Sequence, residues 1–221
     1  MKNVTLNYLI FCLGLCLMSC QKEAAPPNII FILTDDQRWD ALGAMGNEII
    51  QTPHLDQLAN EGVLFTNAHV TTSICVASRA SILTGQYVSR HGINSFHDTL
   101  QNQTLYNSYP LLLKNNANYK IGFIGKYGIG LGQPKAYFDY WGAEKVHQPV
   151  YENLDEDGNF IHYTDLIETR IDDFLDSLGS DGPFCLSVSF KAPHVQDSDP
   201  RQFIYAERYK DLYTNVEFDL P

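Results

Sequence analysis

Basic residues are scarce in this chain, and their scarcity excludes one class of partner. Its 221 residues contain 15 Lys and Arg against 26 Asp and Glu, which gives a formal net charge of −11. Nucleic-acid binding needs a basic face that neutralises phosphates, so we expect no nucleic-acid partner. An anionic small substrate is still allowed, because a few residues and a cation set the local field. The chain also lacks low-complexity tracts and internal repeats, and its length suits one α/β domain with a proper core.

Long hydrophobic runs are absent as well. The longest, residues 6–18, follows Lys2 and is too short to span a bilayer as a stop-transfer helix, so it predicts a signal peptide over residues 1–19. The tetrapeptide Leu17-Met18-Ser19-Cys20 resembles a bacterial lipobox, in which Cys20 carries the lipid and residues 20–27 form a short tether. Plain secretion with cleavage nearby and a single buried helix are the alternatives. We expect a bacterial exported lipoprotein, in the periplasm or at the cell surface, which contacts the membrane only through its lipid.

Cysteines are too few for a disulfide framework. Of the five, Cys12 and Cys16 lie in the predicted signal peptide and Cys20 is the predicted lipidation site. Only Cys75 and Cys185 remain in the folded body, where a disulfide between them is possible but is not implied by the sequence. The hydrophobic core must therefore stabilise the fold.

Strand and helix patterns alternate along the chain. Continuous apolar runs predict strands at 28–33, 119–124 and 184–190, the first of them as a central strand of a parallel sheet, and a further extended segment begins at 63–65. One helix is predicted to begin at Pro53, with Thr52 as its N-cap, and two more are predicted at 77–83 and 165–178. The acidic turn at 155–158 predicts a loop or hairpin tip rather than a calcium loop. This alternation predicts an α/β fold with a central, mostly parallel sheet flanked by helices.

Two adjacent carboxylates, Asp35 and Asp36, follow directly on the first predicted strand. Ligands gather at the carboxyl ends of parallel strands, and hard divalent cations prefer carboxylate oxygens. An isolated Asp-Asp pair is more commonly a helix N-cap with an acidic neighbour.

A second group of residues surrounds Cys75. It precedes a predicted helix whose N-terminus suits an anion, and Arg79 lies one turn further on, before Leu83-Thr84-Gly85. Taken alone, Cys75 would be a small buried hydrophobe and Arg79 a surface salt-bridge partner. Together with the stretch 27–37, however, this segment closely resembles the active-site motif of the sulfatase family, with Ala77 in place of the usual Pro.

The resemblance implies roles for each of these residues. A maturase would oxidise Cys75 to formylglycine, whose hydrated aldehyde attacks a sulfate ester, and Arg79 would hydrogen-bond that aldehyde. One Ca²⁺ ion would be held by Asp35, Asp36 and the modified Cys75.

Two further motifs support the resemblance. The stretch 122–127 matches a family motif in which Lys126 contacts the sulfate, although Gly128 stands where many relatives have His. The segment 189–194 resembles the Pro-His segment of the family, which would place His194 over the sulfate to bind it or to protonate the leaving oxygen. By itself, Lys126 could equally be a loop lysine, and a lone histidine such as His194 is more often structural. His91 is expected to be structural or to lie at the edge of the pocket.

The resemblance implies an alkaline-phosphatase-like α/β fold. It makes residues 28–221 the N-terminal part of a sulfatase catalytic domain, lacking the C-terminal part that supplies further calcium ligands and a second lysine. The expected function is hydrolysis of a sulfuric ester of a sulfated carbohydrate, and the isolated chain could be inactive. The alternatives are a phosphate or phosphonate monoester hydrolase of the same superfamily and a non-catalytic glycan-binding lipoprotein.

Overall fold

The computed structural model describes residues 25–179 and 182–218. The predicted signal peptide, residues 1–19, and the predicted lipidation site Cys20 lie outside the described residues. Within the described part of the chain, no helix is both long and apolar enough to cross a membrane.

A parallel sheet forms the centre of the fold. The strands are β1 (Ile29–Asp35), β2 (Lys120–Gly125), β3 (Tyr140–Ala143), β4 (Glu152–Leu154), β5 (Phe160–His162) and β6 (Phe184–Pro193). Four of them form one sheet in the order β1-β6-β2-β3 with every pair parallel, and β4 and β5 form a separate antiparallel hairpin. The expected α/β fold with a mostly parallel central sheet is confirmed, and the acidic turn at 155–158 forms the tip of the β4–β5 hairpin.

Helices cover both faces of this sheet. They are α1 (Pro53–Glu61), α2 (Cys75–Thr84), α3 (Val88–His91), α4 (Asn102–Tyr106), α5 (Tyr109–Ala117) and α6 (Tyr163–Ser177), with short 3-10 turns at Gly43–Met45, Lys135–Tyr137 and Glu207–Tyr209. One core packs α2 and α5 against Ile121 and Phe123 of β2. The other packs α6 against Ile124 of β2 and against Leu186 of β6. The alternating side chains of β2 thus divide between two cores, as expected for a sheet that is covered on both sides.

Three local predictions were wrong. The run at 28–33 forms β1 as predicted, but β1 lies at the edge of the described sheet, where Ile30 and Ile32 are 52% and 56% exposed. Residues 63–65 form no strand and are exposed. Thr52 precedes α1 but does not cap it; its hydroxyl instead accepts a hydrogen bond from the Gly43 amide at 2.9 Å. A local apolar pattern marks which residues favour burial, but it does not say which partner covers them.

The parallel topology brings three strand ends to one edge of the sheet. Asp35 at the end of β1 pairs with Pro193 of β6, and Gly125 at the end of β2 pairs with Ser189 of β6. Residues that directly follow these strands therefore meet at the same edge, where ligands bind in open α/β sheets.

Candidate active site

The Arg79 guanidinium connects four elements of the fold. Arg79 lies one turn into α2 and is only 5% exposed. Its Nε donates to the Sγ of Cys75 at 3.3 Å, and its Nη1 donates to the carbonyl oxygen of Lys126 at 2.7 Å and to the hydroxyl of Ser189. Its Nη2 lies 3.2 Å from Oδ2 of Asp35. One side chain thus joins the start of α2 to the ends of β1, β2 and β6.

A second cation shares the same carboxylate. The ammonium of Lys126 is fully buried and forms an ion pair with Oδ2 of Asp35, which is itself only 6% exposed. The same ammonium donates to Oε1 of Gln148 at 2.8 Å. Burying a charge is costly unless it is paired, so Asp35 is the group that makes burial of Lys126 tolerable.

Asp36 and His194 form a neighbouring pair. The backbone of Asp36 is left-handed, with φ of 60°, a conformation that aspartate tolerates better than most residues and that recurs at active sites. It leaves the carboxylate exposed, with Oδ2 3.5 Å from Nε2 of His194. Nδ1 of His194 lies 2.5 Å from the Val195 carbonyl, which only accepts, so Nδ1 carries a proton. His194 can therefore donate through Nε2 only when its ring is doubly protonated.

Gly128 lies against the Arg79 side chain. Its backbone is left-handed, with φ of +59°. A Cβ at this position would lie 3.0 Å from Cδ of Arg79 and 3.7 Å from Cε of Lys126. The position at which a histidine was expected therefore has no room for a side chain unless Arg79 moves.

The described residues place two carboxylates, but not a complete metal cluster, in this region. Asp35 and Asp36 are adjacent and have the oxygen chemistry that Ca²⁺ prefers. Cys75 is connected to Asp35 through Arg79 rather than directly. No group of three or more His, Cys, Asp or Glu side chains that could hold a metal occurs among residues 25–179 and 182–218. The assignment of Cys75 as a ligand stays a prediction.

The segment 148–151, for which no role was predicted, lies against the site. Lys191 is buried, donates from Nζ to the Pro149 carbonyl at 2.6 Å and lies 4.8 Å from the centre of the Tyr151 ring. Burial, together with the nearby positive charge of Lys126, lowers the pKa of Lys191. The Tyr151 hydroxyl donates to the His194 carbonyl at 2.6 Å, and burial raises the pKa of Tyr151 to about 12. Gln148 belongs to no recognisable motif, so no local pattern could have identified it.

The contacts of His91 and Cys185 indicate structural rather than catalytic roles. Nδ1 of His91 accepts a hydrogen bond from the Ile93 amide at 3.0 Å, so the proton of the neutral ring is on Nε2, 2.9 Å from the Ser81 hydroxyl. His91 therefore donates to Ser81 and cannot act as its base. Cys185 is buried, which raises its pKa to about 11, and both it and Cys75 are free thiols rather than a disulfide.

Comparison with known proteins gives consistent matches. The family model described as Sulfatase matches residues 27–217. An N-acetylglucosamine-6-O-sulfatase of Bacteroides thetaiotaomicron is 32% identical over 100% of this chain and 40% of its own length. The human N-sulphoglucosamine sulphohydrolase is 32% identical over 91% of this chain and 37% of its own length. The chain thus spans about two fifths of the length of these relatives.

Solved structures show the same likeness. The structure of a protein in complex with its substrate D-glucosamine-2-N,6-O-disulfate is 31% identical, with a TM-score of 0.73 over 88% of this chain and 39% of that chain. The phosphonate monoester hydrolase of Agrobacterium radiobacter is 20% identical, with a TM-score of 0.59 over 79% of this chain and 45% of that chain, a likeness of fold alone.

Proposed function

Because the chain belongs to the sulfatase family, we propose that this protein hydrolyses sulfuric esters of a sulfated carbohydrate. The observation that carries the proposal is the cluster in which Arg79 contacts Cys75, Asp35 and the Lys126 carbonyl. It joins the residue expected to be oxidised, a candidate cation ligand and a candidate sulfate contact at one edge of the sheet. Buried cations at such an edge suit an anionic ester.

The relatives support the proposed substrate class. An N-acetylglucosamine-6-O-sulfatase and an ulvan-active sulfatase match nearly the whole chain, and one similar structure holds a glucosamine disulfate. We infer a sulfated sugar as the substrate and take 6-O-sulfated N-acetylglucosamine as the first compound to test.

Formylglycine at position 75 is part of the proposal. Cys75 is partly exposed and is the first residue of α2. The Nε–H of Arg79 already donates to the Cys75 sulfur, and the same donor would meet an oxygen after oxidation. The modified residue would supply the nucleophilic oxygen, which Arg79 would hold in place.

Ca²⁺ is the proposed metal, with Asp35 and Asp36 as two of its ligands. Bound there, the ion would polarise the sulfate ester. Asp35 is already paired with Lys126 and Arg79, and six to eight oxygens are usual around Ca²⁺, so the described residues alone do not complete the site.

Lys126 and His194 have distinct proposed tasks. Lys126 would bring a positive charge to the sulfate, and the attraction between the two is stronger in a buried setting than in water because the local dielectric is lower. His194 would donate a proton from Nε2 to the leaving oxygen in its doubly protonated form, beside the Asp36 carboxylate.

Export as a lipoprotein is also proposed, on the sequence alone. The predicted signal peptide over residues 1–19 would be removed and Cys20 would carry the lipid. Mass spectrometry of the protein from its native host tests this, because a mature N-terminus other than a lipid-modified Cys20 would contradict it.

The central experiment combines the chemistry of residue 75 with sulfate release. Protein purified from its native host is digested for mass spectrometry and assayed on 6-O-sulfated N-acetylglucosamine, with Cys75→Ala as the control. We expect formylglycine at position 75 and sulfate release that the control lacks. An unmodified thiol and no release would refute the catalytic proposal, and preferential release of phosphate or phosphonate from matched esters would replace it with the related reaction.

A further inference from the structure

We propose that Gln148 completes the sulfate-binding site, where its amide oxygen holds the Lys126 ammonium and its amide N–H donates to the sulfate in place of the histidine expected at Gly128. The inference rests on the proposed function and names a residue for which no motif gave a role.

The chemistry of Lys126 fixes the orientation of this amide. An ammonium group has three donors and no acceptor, so the Gln148 atom 2.8 Å from Nζ must be the carbonyl oxygen Oε1. Oε1 and Nε2 share one carbon, so the two N–H groups are directed elsewhere. Among residues 25–179 and 182–218 Nε2 donates no hydrogen bond. It is therefore available to an incoming acceptor beside a fixed positive charge.

The burial of the two partners determines what an anion meets first. Lys126 is fully buried, whereas Gln148 is exposed. An anion that approaches the Lys126 ammonium from solvent on this side therefore meets the Gln148 amide. The carboxylate of Asp35 faces the positive charges of both Lys126 and Arg79, so these three buried side chains together carry one net positive charge.

Gln148 is held from both sides although it is exposed. The Pro149 carbonyl accepts a hydrogen bond from buried Lys191 at 2.6 Å. The His147 ring lies against Phe96, with the ring centroids 4.6 Å apart. Anchored neighbours reduce the freedom of the backbone at 148, so the amide can act as a preorganised donor.

A side chain at position 128 could not supply this hydrogen-bond donor. A side chain at Gly128 would contact Arg79 at 3.0 Å, and the left-handed backbone there disfavours any residue with a Cβ. Since Arg79 holds Cys75 and Lys126 in place, the space that a histidine would need is taken by a residue of the site itself. Gln148 reaches Lys126 from a different segment and has no such conflict.

The test is calorimetric titration of the full chain with inorganic sulfate. The variants are Gln148→Leu, which removes the amide, Gln148→Asn, which keeps a shortened amide, and Gln148→Glu, which adds a negative charge. Gln103→Leu, at an exposed glutamine of α4, is the matched control. Loss of a hydrogen bond to a charged group corresponds to about 10- to 100-fold weaker binding. We expect a loss of that size for Gln148→Leu, a smaller loss for Gln148→Asn, a larger one for Gln148→Glu, and no change for the control.

The outcomes separate this inference from the proposed function. If the wild-type chain binds sulfate and Gln148→Leu binds it equally well, the role of Gln148 is refuted while the sulfate site stands. If Gln103→Leu weakens binding as much as Gln148→Leu, the role of Gln148 is also refuted. If the wild-type chain binds no sulfate, both the site and the role of Gln148 are wrong. Thermal unfolding of each variant shows whether the fold is intact, which we expect because Gln148 is at the surface.

Discussion

Gly128→Ala is the substitution that tests most directly how the site is packed. Alanine in a left-handed conformation costs about 1–2 kcal/mol, and the new Cβ would lie 3.0 Å from Cδ of Arg79. Arg79 is held by its contacts to Cys75, Asp35 and the Lys126 carbonyl, so it cannot move without weakening at least one of them. A weakened contact of this kind costs about 1–2 kcal/mol. We therefore expect the free energy of unfolding to fall by about 2–3 kcal/mol, after the small entropic gain from alanine in the unfolded chain.

Gly132→Ala is the control that isolates the contribution of Arg79. Gly132 is also left-handed, with φ of +80°, but a Cβ there would meet nothing within 4 Å. Gly132→Ala should therefore lower the free energy of unfolding only through backbone strain, by about 1 kcal/mol. Thermal unfolding should show a loss of about 4–12 °C for Gly128→Ala and about 2–4 °C for Gly132→Ala. Equal losses would mean that Arg79 does not occupy the space beside Gly128, and the explanation for the missing histidine would be wrong.

Two other substitutions test the charges of the fold. Asp35→Asn leaves Lys126 buried without a counter-charge, so it should lower the free energy of unfolding measured by urea titration by about 3–5 kcal/mol. Asp36→Asn, at an exposed carboxylate, is the control and should change that free energy little. Equal effects of the two substitutions would contradict the burial of the Asp35–Lys126 pair. Burial lowers the pKa of His91 in the folded chain below its usual 6.5. As the pH drops below 6.5, the unfolded chain therefore binds a proton at His91 more readily than the folded chain does, and the free energy of unfolding falls. His91→Gln should flatten the fall in melting temperature between about pH 6.5 and 5, and an unchanged slope would show that His91 is not the group responsible.

The sequence allowed prediction of the elements that local chemistry determines. The apolar runs of β1, β2 and β6, and the capping and stop residues of α1 and α2, predict the bounds of these elements to within three residues. The family resemblance implies one shared site for Asp35, Lys126 and His194; in the structure Lys126 pairs with Asp35, and His194 lies beside the adjacent Asp36.

What sequence reasoning missed depends on contacts between distant segments. The partners of Arg79 include residues 44, 47 and 110 positions away, and no local pattern encodes such distances. Gln148 lies in an irregular segment without periodicity, so its contact with Lys126 became visible only in three dimensions. The exposure of Ile30 and Ile32 on β1 was missed for the same reason, since an apolar run does not reveal whether a neighbouring element covers it.

The arrangement of charges implies that stability and anion recognition use the same groups. Asp35 makes the burial of Lys126 and Arg79 tolerable, yet its negative charge also offsets part of the attraction these cations exert on an anion. Removing that charge would strengthen the local positive field while leaving two buried cations close together without a counter-ion. A cation bound to Asp35 would act in the same electrostatic direction, because it would neutralise the carboxylate without removing it. We therefore expect Ca²⁺ to raise the affinity of the wild-type chain for sulfate but to have little effect in Asp35→Asn. Calorimetric titration with and without Ca²⁺ measures this, and equal affinities for the wild-type chain would show that its sulfate site and any calcium site are independent.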